Sequence, residues 1–359
     1  MSVRRYRSGR SRSAREGSQV VTTEKRKNID IGADRDESHS PTVAEVGEFG
    51  VIDRSTSGRI QSSHTILGPG DDAAVVAAAD GRVVATTDML VEGRHFRLDW
   101  SSPIDIGRKA VAQNGADISA MGARCTGFLV ALGCPATTSV EVTDGLSEGL
   151  WREAQRAGCS IIGGDLVQSE ELVISVTALG DLEGRPPVLR SGARPGDVVA
   201  VVGHLGWSAA GLAVLESGRT GHAVLVDAHR VPTPEYEQGV SAALAGATSL
   251  TDVSDGLVAD LGHIAQASSV SLDLNSALLD IGDEIVSAAA DLGVPVLSWV
   301  LGGGEDHAFA ATFPQTARIP DGWTVVGHVA GPSVSPTVTV DGAPFSGSAG
   351  WSSFDGSTS

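Results

Sequence analysis

The chain has 359 residues, enough for two domains of ordinary size, each with its own core. Its formal net charge of −18 is unevenly placed: residues 1–27 hold nine basic and two acidic residues, which leaves 17 basic against 42 acidic residues, a net of −25, for positions 28–359. So acidic a body excludes ordinary nucleic-acid binding, whose affinity comes mainly from neutralising phosphates, and suits a protein that holds divalent cations. No apolar run approaches the ~20 residues of a membrane span, and the N-terminus lacks the apolar core of a signal peptide. Cys125, Cys134 and Cys159 have neither CxxC spacing nor an even count, so free thiols in a reducing cytoplasm are expected.

Residues 1–41, rich in Ser, Arg and Gly without apolar periodicity, read as a disordered tail. The folded part is expected to begin near Val43 with a short helix through Phe49. After the turn Gly68-Pro69-Gly70 come Asp71 and Asp72. Val75–Ala78 and Val83–Thr87 then read as the two strands of a hairpin around Asp80-Gly81. The second strand runs into Asp88, and a loop follows with His95. Ser102-Pro103 signals a helix reaching Gly122, on which Lys109, Gln113 and Asp117 are spaced to share one face. Phe128–Leu132 is a buried strand, Val142–Ala157 an amphipathic helix, and Ser160–Ile162 a strand entering Gly163-Gly164-Asp165. Another strand covers Leu172–Leu179. Turn-rich residues 190–197 mark a boundary, dividing the body into domains 42–189 and 190–359. Beyond it, strand Val198–Val202 meets Gly203-His204-Leu205-Gly206, a weak candidate for a phosphate cradle ahead of a helix. Strand Thr248–Val253 leads into Asp252-Val253-Ser254-Asp255-Gly256. Gly302-Gly303-Gly304-Glu305-Asp306 precedes the last long strand, His307–Phe313, and the glycines imply close backbone approach.

One device recurs along this order. Asp71-Asp72, Thr86-Thr87-Asp88, Asp117, Gly164-Asp165 and Asp252 with Asp255 each set an acid beside small residues and an apolar run, with few cations nearby; only three lysines occur, and Lys109 is the only one beyond residue 27. Acids placed so would repel and lose hydration unless a cation joined them. Mg²⁺ arriving from solution is the expected one. The chain has no GxxxxGK[ST], no kinase catalytic loop and no HExxH. Phosphoryl transfer by positioning and charge neutralisation therefore fits better than covalent catalysis.

In order and approximate spacing, Gly70-Asp71-Asp72-Ala73, Thr86-Thr87-Asp88 with Gly93 and His95, Asp117 in Ala-Asp-Ile-Ser-Ala-Met-Gly-Ala, Gly163-Gly164-Asp165, Arg190-Ser191-Gly192-Ala193, Asp252 to Leu257, Gly303 to Asp306 and Gly350-Trp351 resemble the thiamine-monophosphate kinases. The resemblance covers about residues 43–355. It implies a two-domain α/β fold of the aminoimidazole ribonucleotide synthetase type, with a mixed sheet and helices in the N-terminal domain and an α/β C-terminal domain. It also implies a homodimer joined through the N-terminal domains, and transfer of the ATP γ-phosphoryl group to thiamine phosphate. Carried onto this chain, Asp72, Thr86, Thr87, Asp88, Asp117, Asp165, Asp252 and Asp255 would hold several Mg²⁺ ions. Gly164, Asp165, Arg190 and Ser254 would contact ATP, while His95, Glu305 and Trp351 would face the thiamine phosphate. Ser147 stands where members often carry a Tyr near the nucleotide. Selenophosphate synthetase would carry a reactive Cys or selenocysteine near the start, but no Cys precedes Cys125. The hydrogenase maturation protein HypE would end in a reactive Cys, but the chain ends Gly-Ser-Thr-Ser. A silent metal-dependent nucleotide-binding module is the remaining reading from another class, and release of ADP separates it from a kinase.

Overall fold

The structure is a computed structural model that describes residues 40–70, 73–347 and 350. Two helices, α1 (Val43–Val46) and α2 (Glu48–Thr56), replace the single one expected at the start, because Gly47 with φ 78° breaks the run. The expected hairpin around Asp80-Gly81 does not form. β1 (Thr65–Leu67) pairs instead with β2 (Val75–Val76), while β3 (Val84–Val91) finds its partner some ninety residues later in β6 (Val173–Asp181). Eight paired positions along β3, with alternate side chains turned toward a buried helix, outweigh a local turn closed by Asp80 and Arg82.

Between those partners lie α3 (Pro103–Ala120), β4 (Arg124–Cys134), α4 (Val140–Arg156) and β5 (Ile161–Gln168). They complete a four-stranded sheet of order β3-β6-β4-β5, antiparallel except for the β4–β5 pair. The later part runs β7 (Val198–Val202), α5 (Trp207–Ser217), α6 (Ala223–Arg230), α7 (Glu237–Leu244), β8 (Ser249–Val253), α8 (Leu257–Ser268) and β9 (Val270–Leu274). It closes with α9 (Asp283–Leu292), α10 (Val296–Gly302), β10 (Ala308–Phe313), β11 (Thr324–Pro332), β12 (Val338–Val340) and β13 (Ala343–Pro344). These strands form a seven-stranded sheet, β13-β12-β9-β11-β7-β10-β8. Mixed helix and sheet in two such layers agree with the expected α/β architecture.

α3 is the element on which both sheets converge. Ser102 caps it, accepting from the Asp105 N–H while Asp105 bonds back to Ser102, and Pro103 opens the first turn. Ala110, Val111 and Ile118 pack with Phe128, Ile174 and Val176 of the four-stranded sheet. Ala116 and Ala120 pack with Ala200, Leu250, Phe309 and Phe313 of the seven-stranded sheet. Thirteen of its 18 residues are buried, so the Lys109/Gln113/Asp117 stripe is an internal seam and not a solvated face. Small residues permit this: a Cβ on Gly149 of α4 would lie 2.0 Å from the Ile104 carbonyl oxygen of α3, so only glycine fits the crossing. Among the described residues no helix is long and apolar enough to cross a membrane.

Candidate active site

Three acids from three separate elements meet along the α3 seam. Asp88 points inward from β3, its backbone N–H donating to Asn114 Oδ1 at 3.0 Å, and its carboxylate takes a hydrogen bond from Gln113. Asp117, one turn on, accepts from Thr86 Oγ1 at 2.8 Å. Asp252, 2% exposed near the end of β8, lies 3.0 Å from His307 Nδ1. Burial drives the Asp117 carboxyl up to about 7, helped by the negative charges of Asp252 and Asp88. Asp88 is also raised, by burial first and then by Asp252, with His307 opposing. The His307 imidazole loses hydration yet is held above its ordinary value by Asp252. Carboxylates that must share a desolvated space repel. A hard cation with oxygen ligands is what such a donor set fits, and the Thr86 hydroxyl adds a neutral oxygen.

Beside Asp252 the chain turns through Ser254, Asp255 and Gly256 into α8. Asp260, in the first turn of α8, gathers that turn: one carboxylate oxygen accepts the N–H groups of Ser254, Asp255 and Gly256, each at 3.0 Å. Burial and the neighbouring Asp252 and Asp255 push its carboxyl up to about 7 despite those bonds. Asp255, Asp260 and His263 bring one ligand atom each within 4.8 Å of one another. Sequence reasoning missed Asp260, although an acid in a helix's first turn after a strand-end loop is a recognisable signal. Asp252 and Asp255 do not share a strand face, since Asp252 lies inside β8 and Asp255 beyond it. Gly350 returns to this turn, where an added Cβ would meet the Asp255 carbonyl oxygen at 2.8 Å.

The other end of the seam holds Lys109. Its Nζ donates to the His95 carbonyl at 2.9 Å and to Glu305 Oε2 at 3.1 Å, and His229 Nδ1 lies 3.6 Å from the same carboxylate. Burial alone would raise Glu305, but Lys109 and His229 hold it below its ordinary value. His229 is pushed down to about 4, by burial first and then by Lys109. His95 is half-buried and accepts the Val91 N–H at its Nδ1, 3.0 Å away. Glu305 and His307 both adopt left-handed backbone, φ 63° and 53°, strain that neither side chain favours. Close approach fixes it: a Cβ on Gly304 would sit 2.7 Å from the Ser254 carbonyl oxygen, which accepts the Glu305 N–H. Between them, Asp306 accepts the N–H groups of Gly206 and Ser208 at 2.5 and 2.8 Å. The helix N-terminus read as a weak phosphate cradle is thus already occupied by a side chain.

Several expected site residues are not brought to the seam. Thr87 alternates to the outer face of β3, donating to the Val176 carbonyl at 3.0 Å and pairing with Thr177. Gly164 and Asp165 lie inside β5, not at a strand end. Both are exposed, and Asp165 pairs through Ala131 and Ser175 with Met89, again on the outer face. Three strand spacings, roughly 14 Å, separate β5 from β3. Arg190 is exposed, and its carbonyl accepts from Ser268 Oγ at 2.9 Å. Ser147 is buried and donates to the Ser55 carbonyl at 3.3 Å, which ties α4 to α2. Asp71, Asp72 and Trp351 lie outside the described residues.

The family model described as AIR synthase related protein, N-terminal domain, matches residues 70–182, and its C-terminal counterpart matches residues 194–304. The chain is 54% identical over 319 residues to a thiamine-monophosphate kinase of Mycobacterium tuberculosis (strain ATCC 25618 / H37Rv), covering 88% of this chain and 94% of that one. It is 42% identical over 322 residues to the enzyme of that name from Corynebacterium glutamicum, covering 88% and 95%. A solved structure, AaThiL complexed with AMPPCP and TMP, superposes with a TM-score of 0.71 at 31% identity over 88% of this chain and 100% of that one. Hydrogenase maturation protein HypE in complex with ATP has a TM-score of 0.62 at 18% identity over 78% of this chain and 84% of that one, and shares the fold alone. With identity above one half over 88% of its length, the chain belongs to the thiamine-monophosphate kinase family.

Proposed function

We propose that the chain catalyses the Mg²⁺-dependent transfer of the γ-phosphoryl group of ATP to thiamine phosphate, giving thiamine diphosphate and ADP. The observation that carries this is the convergence of Asp88, Asp117 and Asp252, with the Asp88 and Asp117 carboxyls raised and no lysine or arginine ion-paired to any of the three among the described residues. Those three, with Thr86 and with Asp255 beside them, are the residues that would hold magnesium, and the resemblance adds Asp72. Bound there, magnesium would offset the repulsion between two polyanions. The chain's own residues supply position. Asp260 holds the Ser254–Gly256 turn beside the nucleotide's phosphates, and the Lys109–Glu305 pair with His95 forms the acceptor end of the seam. The acceptor's phosphate is already ionised at neutral pH, so no side chain need remove a proton. The three free buried thiols suit a reducing, cytoplasmic setting.

Thr87, Gly164 and Asp165 then need a second copy. The outer face of the four-stranded sheet presents Met89 and Val167, more than half exposed, among Thr87, Thr177, Ala131 and Asp165. A face this apolar is a natural interface, and in a twofold homodimer it brings each chain's β5 toward its partner's β3. Asp165 and Gly164 of one chain would in this way complete the site that Asp88, Asp117 and Asp252 begin in the other.

Incubating the protein with ATP and either thiamine phosphate or unphosphorylated thiamine, with Mg²⁺ or with EDTA, tests the function. Thiamine diphosphate formed only from the monophosphate and only with Mg²⁺ is expected. ATP hydrolysis without any thiamine diphosphate would defeat the reading and direct attention to other acceptors.

A further inference from the structure

Lys109 is the only lysine among the described residues, and every arginine that forms an ion pair there is at least partly exposed. Lys109 is 2% exposed. A buried ammonium needs a reason to be ionised where it is, because desolvation opposes the charge. Its hydrogen bonds supply that reason: one N–H goes to the backbone of the 92–96 loop at His95, another to the side chain of Glu305. These acceptors come from opposite halves of the chain, 210 positions apart in sequence, and a rigid helix lies between them. Glu305 in turn sits on backbone strained at φ 63°, and its orientation is held by Lys109 and by His229. An ammonium is compact, with three N–H groups directed tetrahedrally, and so can reach a carbonyl and a carboxylate at once.

We propose that Lys109 is a positioning residue for the acceptor, joining the His95 loop to the Glu305 segment so that both face the thiamine phosphate in one fixed arrangement. The inference rests on the function proposed above. It adds a residue and a division of labour: along α3, Asp117 serves the nucleotide end and Lys109, two turns earlier, serves the acceptor end. Removing the ammonium leaves the metal acids in place but frees the acceptor-facing elements from each other, so the loss falls on one substrate.

Steady-state kinetics with each substrate varied in turn, on the wild type, K109M, E305Q and the K109M/E305Q double variant, test this. K109M is expected to raise KM for thiamine phosphate about tenfold or more, with KM for ATP changed by less than about twofold. The double variant is expected to match the worse single variant, because both changes break the same link. It also removes the carboxylate that K109M leaves without its ammonium and so remains measurable if K109M alone folds poorly; its own acceptor-against-ATP split then decides. Equal effects on both substrates, or multiplied effects in the double variant, would overturn the proposal and leave Lys109 a packing residue. A wild type that makes no thiamine diphosphate would instead overturn the function itself.

Discussion

Replacing Asp117 by asparagine is expected to lower turnover about 10²- to 10³-fold and, in metal-free buffer above pH 7, to raise stability by about 1–3 kcal/mol. The two effects have one origin. Asp117 is desolvated and faces Asp252 and Asp88, which push its carboxyl up to about 7. The unfolded chain releases that proton near the ordinary 3.8, so between roughly pH 4 and 7 the native state holds a proton that the unfolded state has lost. Stability from this group is therefore complete below about pH 4 and drains away as pH rises toward 7. Asp260 and Asp306, also raised to about 7, act in the same direction. Asparagine keeps the acceptor for Thr86 and removes the charge, so the pH dependence should flatten. Mg²⁺ should stabilise the wild type more than the variant. A variant less stable than the wild type in chelator above pH 7, or one retaining near-normal turnover, would contradict the assignment.

Asp260→Ala should cost about 2–4 kcal/mol and about 10²-fold in turnover, whereas Asp260→Asn should cost about 1 kcal/mol. One carboxylate oxygen satisfies three N–H groups of the Ser254–Gly256 turn, and alanine would strand all three beside a new void. Asparagine resembles the protonated acid and still offers one oxygen to the turn. Chemical denaturation with initial rates on the same preparations separates the cases. Equal stability of the alanine and asparagine variants would show that the turn does not depend on Asp260.

How much of this was legible in the sequence depends on the residue. The face shared by Lys109, Gln113 and Asp117 follows from helical spacing, and the structure keeps it. Its burial does not follow from spacing, because it arises from two sheets closing on one helix. The pairing of Asp117 with Thr86 and not with Thr87 could have been read from strand alternation, which lets only one of two neighbours share a face with Asp88. The false hairpin came from a local turn at Asp80-Gly81 that competes with a partner no local pattern reveals. Asp306 capping α5 from a hundred residues away had no signal at all. The strand expected to stop at Ile162 continues through Gly163-Gly164-Asp165 as β5, where Gly164 lets the Val130 carbonyl approach to 2.1 Å of where a Cβ would be.

That displacement of Asp165 makes the most direct measurement one of complementation. Asp88→Asn and Asp165→Asn chains carrying different tags would be co-expressed, the mixed dimer purified through both tags, and thiamine diphosphate formation compared with each parent. If Asp88 of one chain works with Asp165 of the other, one site of the mixed dimer is intact, and about half of wild-type activity should return. A mixed dimer as inactive as its parents, or a wild type fully active as a monomer, would show that each chain builds its site alone.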